Sequence, residues 1–180
     1  MAEYYFAYGS CMDEVDFRRT VPEFRTLGGA ILKDYRLVFS MYGESRAGGV
    51  ADVIPSSGHE VQGVLYKFPK KHLPDLDKRE GVDSGAYERI EVDVLLRHKS
   101  IRAYTYQVVN KAKSEIAPSP YYLGLMVNGM TKYCSPTYRK HFIERVKEEL
   151  DVEADHPLTK RADFQKENEA GEVNKKGHKK

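Results

Sequence analysis

The sequence lacks tryptophan, has only two cysteines among its 180 residues, and contains no long apolar run. A helix that spans a membrane needs about 20 consecutive apolar residues, so no membrane span is predicted. Residues 1–6 carry no basic region followed by an apolar stretch, which is the pattern of a secretory signal. We therefore expect a cytoplasmic protein in which Cys11 and Cys134 are free thiols.

The sequence also lacks the spacings typical of metal sites and the charge typical of nucleic-acid binders. Its six histidines are scattered, with no HExxH, HxxxH or CxxC pattern, so no metal site is expected. The formal net charge is +2, but residues 160–180 hold seven Lys or Arg against four acidic residues, which leaves residues 1–159 at −1. Because residues 1–159 are nearly neutral, their charge does not favour binding to nucleic acid.

The length suits one domain with a well-formed core. Thirteen Tyr and seven Phe predict an aromatic-rich core or pocket lining. From residue 155 onward the chain has almost no apolar residues, and it ends in Lys-Lys-Gly-His-Lys-Lys. We expect a folded domain over residues 1–154 and a charged, disordered tail over residues 155–180.

The first two thirds of the sequence show strand patterns. An aromatic run ends at Gly9 and predicts a buried strand that closes into a turn, while apolar and polar residues alternate from Ile90 onward, as in a half-buried strand. Residues 55–58 carry turn signals that predict a hairpin, and residues 98–100 predict a second tight turn. The predicted strands cover residues 4–8, 24–40 (interrupted by Gly28-Gly29), 48–54, 61–68, 90–96 and 101–109.

Helical patterns occur at residues 13–19, at residues 70–80 and in the last third, where apolar residues recur every four positions from Tyr122 and again from Tyr138. Hairpin-like connections argue against a doubly wound parallel sheet. We predict an α+β fold, with a small, mostly antiparallel β-barrel or curled sheet and flanking helices.

Among the carboxylates, Glu80 is the strongest candidate for a catalytic role. It follows Leu76 by four residues and Leu73 by seven, so it shares the apolar face of its short helix. It also ends that helix, where the dipole disfavours negative charge, and both effects raise a carboxyl pKa. A solvent-exposed glutamate at a frayed helix end fits the same pattern.

Residues 8–12 (YGSCM) lie at a predicted junction between a strand and a helix. Glycine allows a ligand to approach the backbone closely, and the first N–H groups of a helix can bind a carboxylate or an oxyanion. On spacing alone, an ordinary turn is favoured over a binding loop. Cys11 near a helix start is a candidate low-pKa thiol, so a Cys–His hydrolase is a further hypothesis, although no histidine is marked as its partner.

Three segments in this order resemble the γ-glutamylcyclotransferase family and its AIG2-like relatives. They are residues 6–10 (FAYGS), residues 76–82 (LDKREGV) followed by 85–87 (GAY), and residues 118–121 (PSPY), and the resemblance extends over about 150 residues. It implies a barrel with a pocket at one end and no cofactor. It also implies that Glu80 is the catalytic glutamate, that Tyr8, Gly9, Ser10 and Cys11 hold the γ-glutamyl group, and that Tyr121, or its neighbour Tyr122, closes over the substrate.

The resemblance has one departure, because Cys11 replaces the asparagine that is usual in this loop. A thiol is a poor substitute for an amide that both donates and accepts hydrogen bonds. The replacement either loosens the loop or changes specificity. The backbone donors of the loop do not depend on this side chain.

The implied activity is release of 5-oxoproline and an amine or amino acid from a γ-glutamyl compound. The alternative is a non-catalytic small-molecule-binding or interaction module on the same fold. Candidate leaving groups are an amino acid, the ε-amine of lysine, a polyamine or an aminoglycoside-like amine. Residues 41–48 are a candidate pocket wall in which Arg46 offers a contact to a carboxylate, although their composition favours a solvated loop.

Overall fold

The computed structural model describes residues 1–155, so residues 156–180 of the predicted tail lie outside the described residues. The strands are β1 (Ala2–Ala7), β2 (Arg25–Gly43), β3 (Gly48–Pro69), β4 (Tyr87–Leu96) and β5 (Lys99–Val108). The α-helices are α1 (Glu14–Arg18), α2 (Leu73–Arg79), α3 (Pro120–Tyr133) and α4 (Pro136–Leu150). Short 3₁₀ turns occupy Ser10–Met12, Glu44–Arg46 and Lys70–His72.

The five strands close into a barrel in the order β1-β3-β2-β4-β5. Neighbouring strands are antiparallel, except that β5 meets β1 in parallel where Tyr5 pairs with Tyr104. Closure removes the exposed edges that an open sheet would present. The predicted α+β fold with a small, mostly antiparallel barrel and flanking helices is confirmed.

The hairpin predicted over residues 48–68 is wrong, because these residues form the single long strand β3 alongside β2. Residues 56–59 bulge opposite Asp34. Gly58 has a φ of +82°, and its N–H donates to Asp34 Oδ1 at 3.0 Å. This bulge bends the strand without reversing it, and the chain reverses instead at the turn Glu44–Arg46.

Two smaller boundaries also differ from the sequence prediction. Gly28 does not interrupt a strand but forms a bulge inside β2, where its φ of +129° bends the strand. The turn between β4 and β5 consists of Arg97 and His98, both at positive φ, rather than residues 98–100. Two successive residues at positive φ form the type of turn whose twist matches an antiparallel pair.

An aromatic cluster fills the space between β1, β3 and α1. The rings of Phe17 and Tyr66 stack with centroids 4.3 Å apart, and Tyr5 and Phe24 pack against them. Large aromatic side chains bury much apolar area and stabilise the fold strongly. Among residues 1–155, no helix is long and apolar enough to cross a membrane.

Helix α3 lies across the turn that follows β1. Ser119 caps this helix, because its Oγ accepts the Tyr122 N–H at 3.2 Å. A Cβ at Gly129 would stand 2.3 Å from the Cβ of Met12, so only glycine lets the helix approach the turn this closely. The helix therefore fixes the position of the Ser10–Met12 turn.

Candidate active site

A cavity of about 480 Å³ opens where the end of β1, the start of β4 and the end of β5 meet. Tyr8, Gly9, Ser10, Cys11 and Glu80 all line it, so the structure brings five of the six predicted site residues together. Tyr122 also lines it. Its volume is within the range of small-molecule sites.

Tyr121 is the predicted residue that the structure does not bring to the cavity. Half of its surface is exposed, whereas Tyr122 is buried. Successive side chains on a helix point about 100° apart, so the start of α3 at Pro120 turns Tyr122 inward and Tyr121 toward solvent. The family motif located this helix correctly but did not distinguish its two tyrosines.

Glu80 caps the C-terminal end of α2, and its side chain is only 17% exposed. Burial raises its pKa from the ordinary 4.5 to about 7, although Arg79 and Arg46 lower it, and Asp16 adds to the rise. Its ion-pair contact among the described residues is Arg79 Nε, 3.9 Å from Oε1, which is longer than a hydrogen bond. A carboxyl group with a pKa near neutrality can both accept and donate protons.

The loop after β1 is tied to three separate elements. Ser10 Oγ accepts from Arg46 Nη2 at 3.3 Å and from Arg79 Nη2 at 3.4 Å, and the Tyr66 hydroxyl donates to the Cys11 carbonyl at 2.7 Å. The first N–H groups of a helical turn have no partner within that turn, so those at the start of Ser10–Met12 need a partner from outside it. The loop is held firmly although it carries Cys11.

Cys11 does not have the low pKa expected near a helix start. Burial raises the pKa of its thiol to about 12, and the opposing effect of Arg79 is smaller. A nucleophilic cysteine reacts as the thiolate. The surroundings of Cys11 therefore keep it protonated and give no support to the thiol-hydrolase hypothesis.

Asp16 and two arginines form a cluster beside this loop that the sequence analysis missed. The Asp16 carboxylate is 4% exposed and accepts from Arg79 Nη2 at 2.6 Å and from Arg46 Nη2 at 3.1 Å. Arg19 lies within 3.8 Å of it. Although burial raises the pKa of Asp16, Arg79 and Arg46 outweigh this effect and hold it below its usual value. Asp16 is therefore ionised at neutral pH.

Arg46 lies at the tip of the β2–β3 hairpin, not in a solvated loop. Its side chain is 22% exposed and its guanidinium carbon lies 5.5 Å from the centroid of the Tyr122 ring. In the sequence, only its place within the candidate pocket wall, residues 41–48, indicated that it could line the cavity. Its contact with Asp16 spans 30 residues of sequence, which no local pattern reveals.

The stem of this hairpin is held by residues 110–119, which cross it before α3. The Gly49 N–H donates to the Ala117 carbonyl at 2.9 Å, and the Ile116 N–H donates to the Phe39 carbonyl at 2.9 Å. A Cβ at Gly49 would lie 1.9 Å from the Ile116 carbonyl oxygen. The stem therefore has no room for a side chain at this point.

Buried tyrosines complete the wall of the cavity. The Tyr87 hydroxyl donates to the Ala51 carbonyl at 2.7 Å, while the Ala51 N–H donates to the Tyr122 hydroxyl at 3.0 Å. A Cβ on Gly9 would come within 3.3 Å of that hydroxyl. Within residues 1–155, no group of three or more His, Cys, Asp or Glu side chains is arranged to hold a metal ion.

Comparison with known proteins identifies relatives of this chain. Residues 60–142 match the AIG2-like family. The γ-glutamylcyclotransferase of Bos taurus is 37% identical over 138 residues, which cover 70% of this chain and 71% of that protein. A solved structure of a γ-glutamyl cyclotransferase superposes with a TM-score of 0.74 at 31% identity, covering 78% of this chain and 86% of the other.

The Bacillus subtilis protein YkqA is a further relative of this chain. It is 34% identical over 151 residues, which are 82% of this chain and 52% of YkqA. Its crystal structure superposes with a TM-score of 0.73. The chain thus spans about half the length of that relative.

Proposed function

Because the chain belongs to the γ-glutamylcyclotransferase family of enzymes, we propose that it cyclises γ-glutamyl compounds and releases 5-oxoproline with a free amine or amino acid. The α-amine of the glutamyl group attacks its own γ-carbonyl carbon and forms a five-membered lactam. The bond between that carbon and the leaving nitrogen then breaks. Two protons leave the α-ammonium nitrogen and two end on the leaving nitrogen, so neither water nor a redox partner is consumed.

Glu80 is the proposed general acid/base for these proton transfers. The observation that carries this role is a buried carboxyl group with a pKa of about 7 in the same cavity as the loop after β1. As a carboxylate it takes a proton from the α-ammonium group, and as a carboxylic acid it protonates the leaving nitrogen. General acid–base catalysis by one positioned side chain typically contributes a factor of about 10² to 10⁴ in rate.

The loop formed by Tyr8, Gly9, Ser10 and Cys11 is the proposed holder of the γ-glutamyl group. Its available N–H groups would stabilise the oxyanion that forms when the amine attacks, and one such donor is worth about 3–4 kcal/mol in other enzymes. Holding the glutamyl chain in a folded pose adds the advantage of an intramolecular reaction. Only backbone atoms are needed for the first contribution, so Cys11 is compatible with it.

The test is Glu80→Gln, with 5-oxoproline measured by mass spectrometry over a panel of γ-glutamyl amino acids and γ-glutamyl amines. The exposed Glu148 on α4 provides a matched control, Glu148→Gln. We expect Glu80→Gln to bind substrate and to lose at least about 10²-fold in turnover, while the control keeps the parent rate. Release of 5-oxoproline by Glu80→Gln at the parent rate would remove Glu80 from the mechanism. Binding without product from any substrate in the parent protein would favour the non-catalytic module.

A further inference from the structure

The charges around Asp16 are unbalanced. One buried carboxylate faces three guanidinium groups, those of Arg19, Arg46 and Arg79. Glu80 is the other acidic side chain that lines this cavity. The wall beside the loop therefore carries an excess of positive charge, which attracts an anionic group of a ligand.

Arg79 has its guanidinium committed to the protein. Its Nη1 donates to the Asp16 carbonyl at 3.2 Å and to Thr20 Oγ1 at 3.1 Å, while its Nη2 donates to Asp16 Oδ2 and Ser10 Oγ. Arg19 is 68% exposed and lies 3.8 Å from the carboxylate, beyond hydrogen-bond distance. Arg79 therefore has little left to offer a ligand, and Arg19 lines the cavity as a largely exposed side chain.

Arg46 is arranged differently. Its hydrogen bonds within the described residues come from Nη2 alone, which donates to Ser10 Oγ and Asp16 Oδ2. Its Nη1 and Nε therefore keep their donors, on a side chain that lines the cavity. The Tyr122 ring below the guanidinium and the Asp16 carboxylate at its edge hold the guanidinium plane in place.

We propose that the Nη1 group of Arg46 donates to a carboxylate group of the substrate. A hydrogen bond between a charged guanidinium N–H and a carboxylate is about twice as strong as one between neutral groups. The inference rests on the proposed function. A γ-glutamyl amino acid carries two carboxylates, one on the glutamyl α-carbon and one on the leaving group, and the experiment distinguishes these two sources.

The experiment compares two substrates that differ only in the carboxylate of the leaving group, γ-glutamyl-alanine and γ-glutamyl-ethylamide. Arg46→Gln is measured beside Arg102→Gln, which removes an exposed arginine paired with Glu91 and Asp93 far from the cavity. Because Arg46 lowers the pKa of Glu80, rates are compared at about pH 9, where Glu80 is ionised in every variant.

We expect Arg46→Gln to lower kcat/KM by roughly 10- to 100-fold, mainly through KM, as for loss of a charge-assisted hydrogen bond. A loss confined to γ-glutamyl-alanine assigns Arg46 to the leaving group, and an equal loss on both substrates assigns it to the glutamyl α-carboxylate. Arg46→Lys should recover part of the loss because it keeps the charge. An Arg46→Gln variant that matches Arg102→Gln on both substrates overturns the proposal.

A binding measurement keeps this inference separate from the proposed activity. Calorimetric titration of γ-glutamyl-alanine into Glu80→Gln, with and without Arg46→Gln, gives the Kd without any turnover. We expect the second substitution to weaken binding by roughly 10-fold or more, with the melting temperature as a check of folding. An unchanged Kd overturns the carboxylate site even if the parent enzyme releases 5-oxoproline. If the parent protein binds through Arg46 but makes no product, the carboxylate site is supported and the proposed activity is wrong.

Discussion

Arg79 donates to the Asp16 carboxylate over 2.6 Å, and Arg79 is the residue directly before Glu80. This ion pair joins α1 to the end of α2 and thereby holds the proposed acid/base beside the loop after β1. Asp16→Asn should destabilise the fold by about 3 kcal/mol, because it leaves Arg79 partly buried without its counter-charge. Urea unfolding at neutral pH measures this loss.

The matched control is Asp93→Asn, at a site 60% exposed, which should cost no more than about 1 kcal/mol. An equal loss of stability in both variants would contradict the role of the Asp16–Arg79 pair.

The pH dependence of turnover should follow the ionisation of Glu80. Its pKa of about 7 predicts that kcat/KM rises as pH increases through about 7, because the carboxylate is the form that accepts the ammonium proton. Removing Arg46, which lowers this pKa, should move the rising limb to higher pH. Rates of 5-oxoproline release between about pH 5 and about pH 9 test both statements. A limb that remains near pH 4.5 would show that a carboxyl group with an ordinary pKa controls the rate.

Glu80 should also make stability depend on pH. Because burial raises its pKa from 4.5 to about 7, the native state binds this proton more tightly than the unfolded chain does. The resulting stabilisation is fully present below about pH 4.5 and is lost as pH rises through about 7. Ionised Glu80 then costs the native state up to about 3 kcal/mol.

Glu80→Gln removes this cost. The free energy of unfolding of the variant, relative to the parent protein, should therefore increase between about pH 5 and about pH 8. Urea unfolding of both proteins at the two pH values measures the change. A constant difference between them would mean that Glu80 titrates equally in the folded and unfolded states.

Tyr121 and Tyr122 should respond differently to loss of the hydroxyl. Tyr122→Phe leaves the buried Ala51 N–H without its acceptor, so it should cost about 1–3 kcal/mol of stability and reduce turnover. Tyr121→Phe changes a half-exposed side chain outside the cavity and should change neither. Thermal melting and 5-oxoproline release decide between the two tyrosines. Lower turnover in Tyr121→Phe alone would restore the assignment made from the sequence.

Cys11 should be unreactive in the native protein. Burial raises its thiol pKa to about 12, so the reactive thiolate is scarce at neutral pH. Iodoacetamide should alkylate Cys11 at least about 100-fold more slowly in the folded protein than in urea, as followed by peptide mass spectrometry. Rapid alkylation that abolishes turnover would instead revive the thiol-hydrolase hypothesis.

Local patterns predicted the elements that hold the site. The aromatic run before Gly9 and the apolar face of α2 were both found from the sequence because each depends on neighbouring residues. These local patterns also located Glu80 at the end of a helix and the loop directly after the first strand. The motif that marked α3 left Tyr121 and Tyr122 undistinguished, because one residue along a helix changes the direction of a side chain by about 100°.

Contacts between distant residues could not be predicted in this way. The turn signals at residues 55–58 suggested a hairpin, but pairing with β2 on both sides of the bulge keeps β3 continuous. Arg46 lies in a segment, residues 41–48, whose composition is typical of an exposed loop. Only the folded barrel brings it to Asp16. The arginine cluster is thus a property of the tertiary structure.

The hairpin that carries Arg46 separates a fixed stem from an adjustable tip. The carbonyl of Ile116 lies against Gly49, and any larger residue at that position would collide with the backbone. Ser45 and Arg46 line the cavity from the tip. Under the proposed function, substitutions at the tip would therefore change the cavity wall that faces the substrate, while the stem keeps its position.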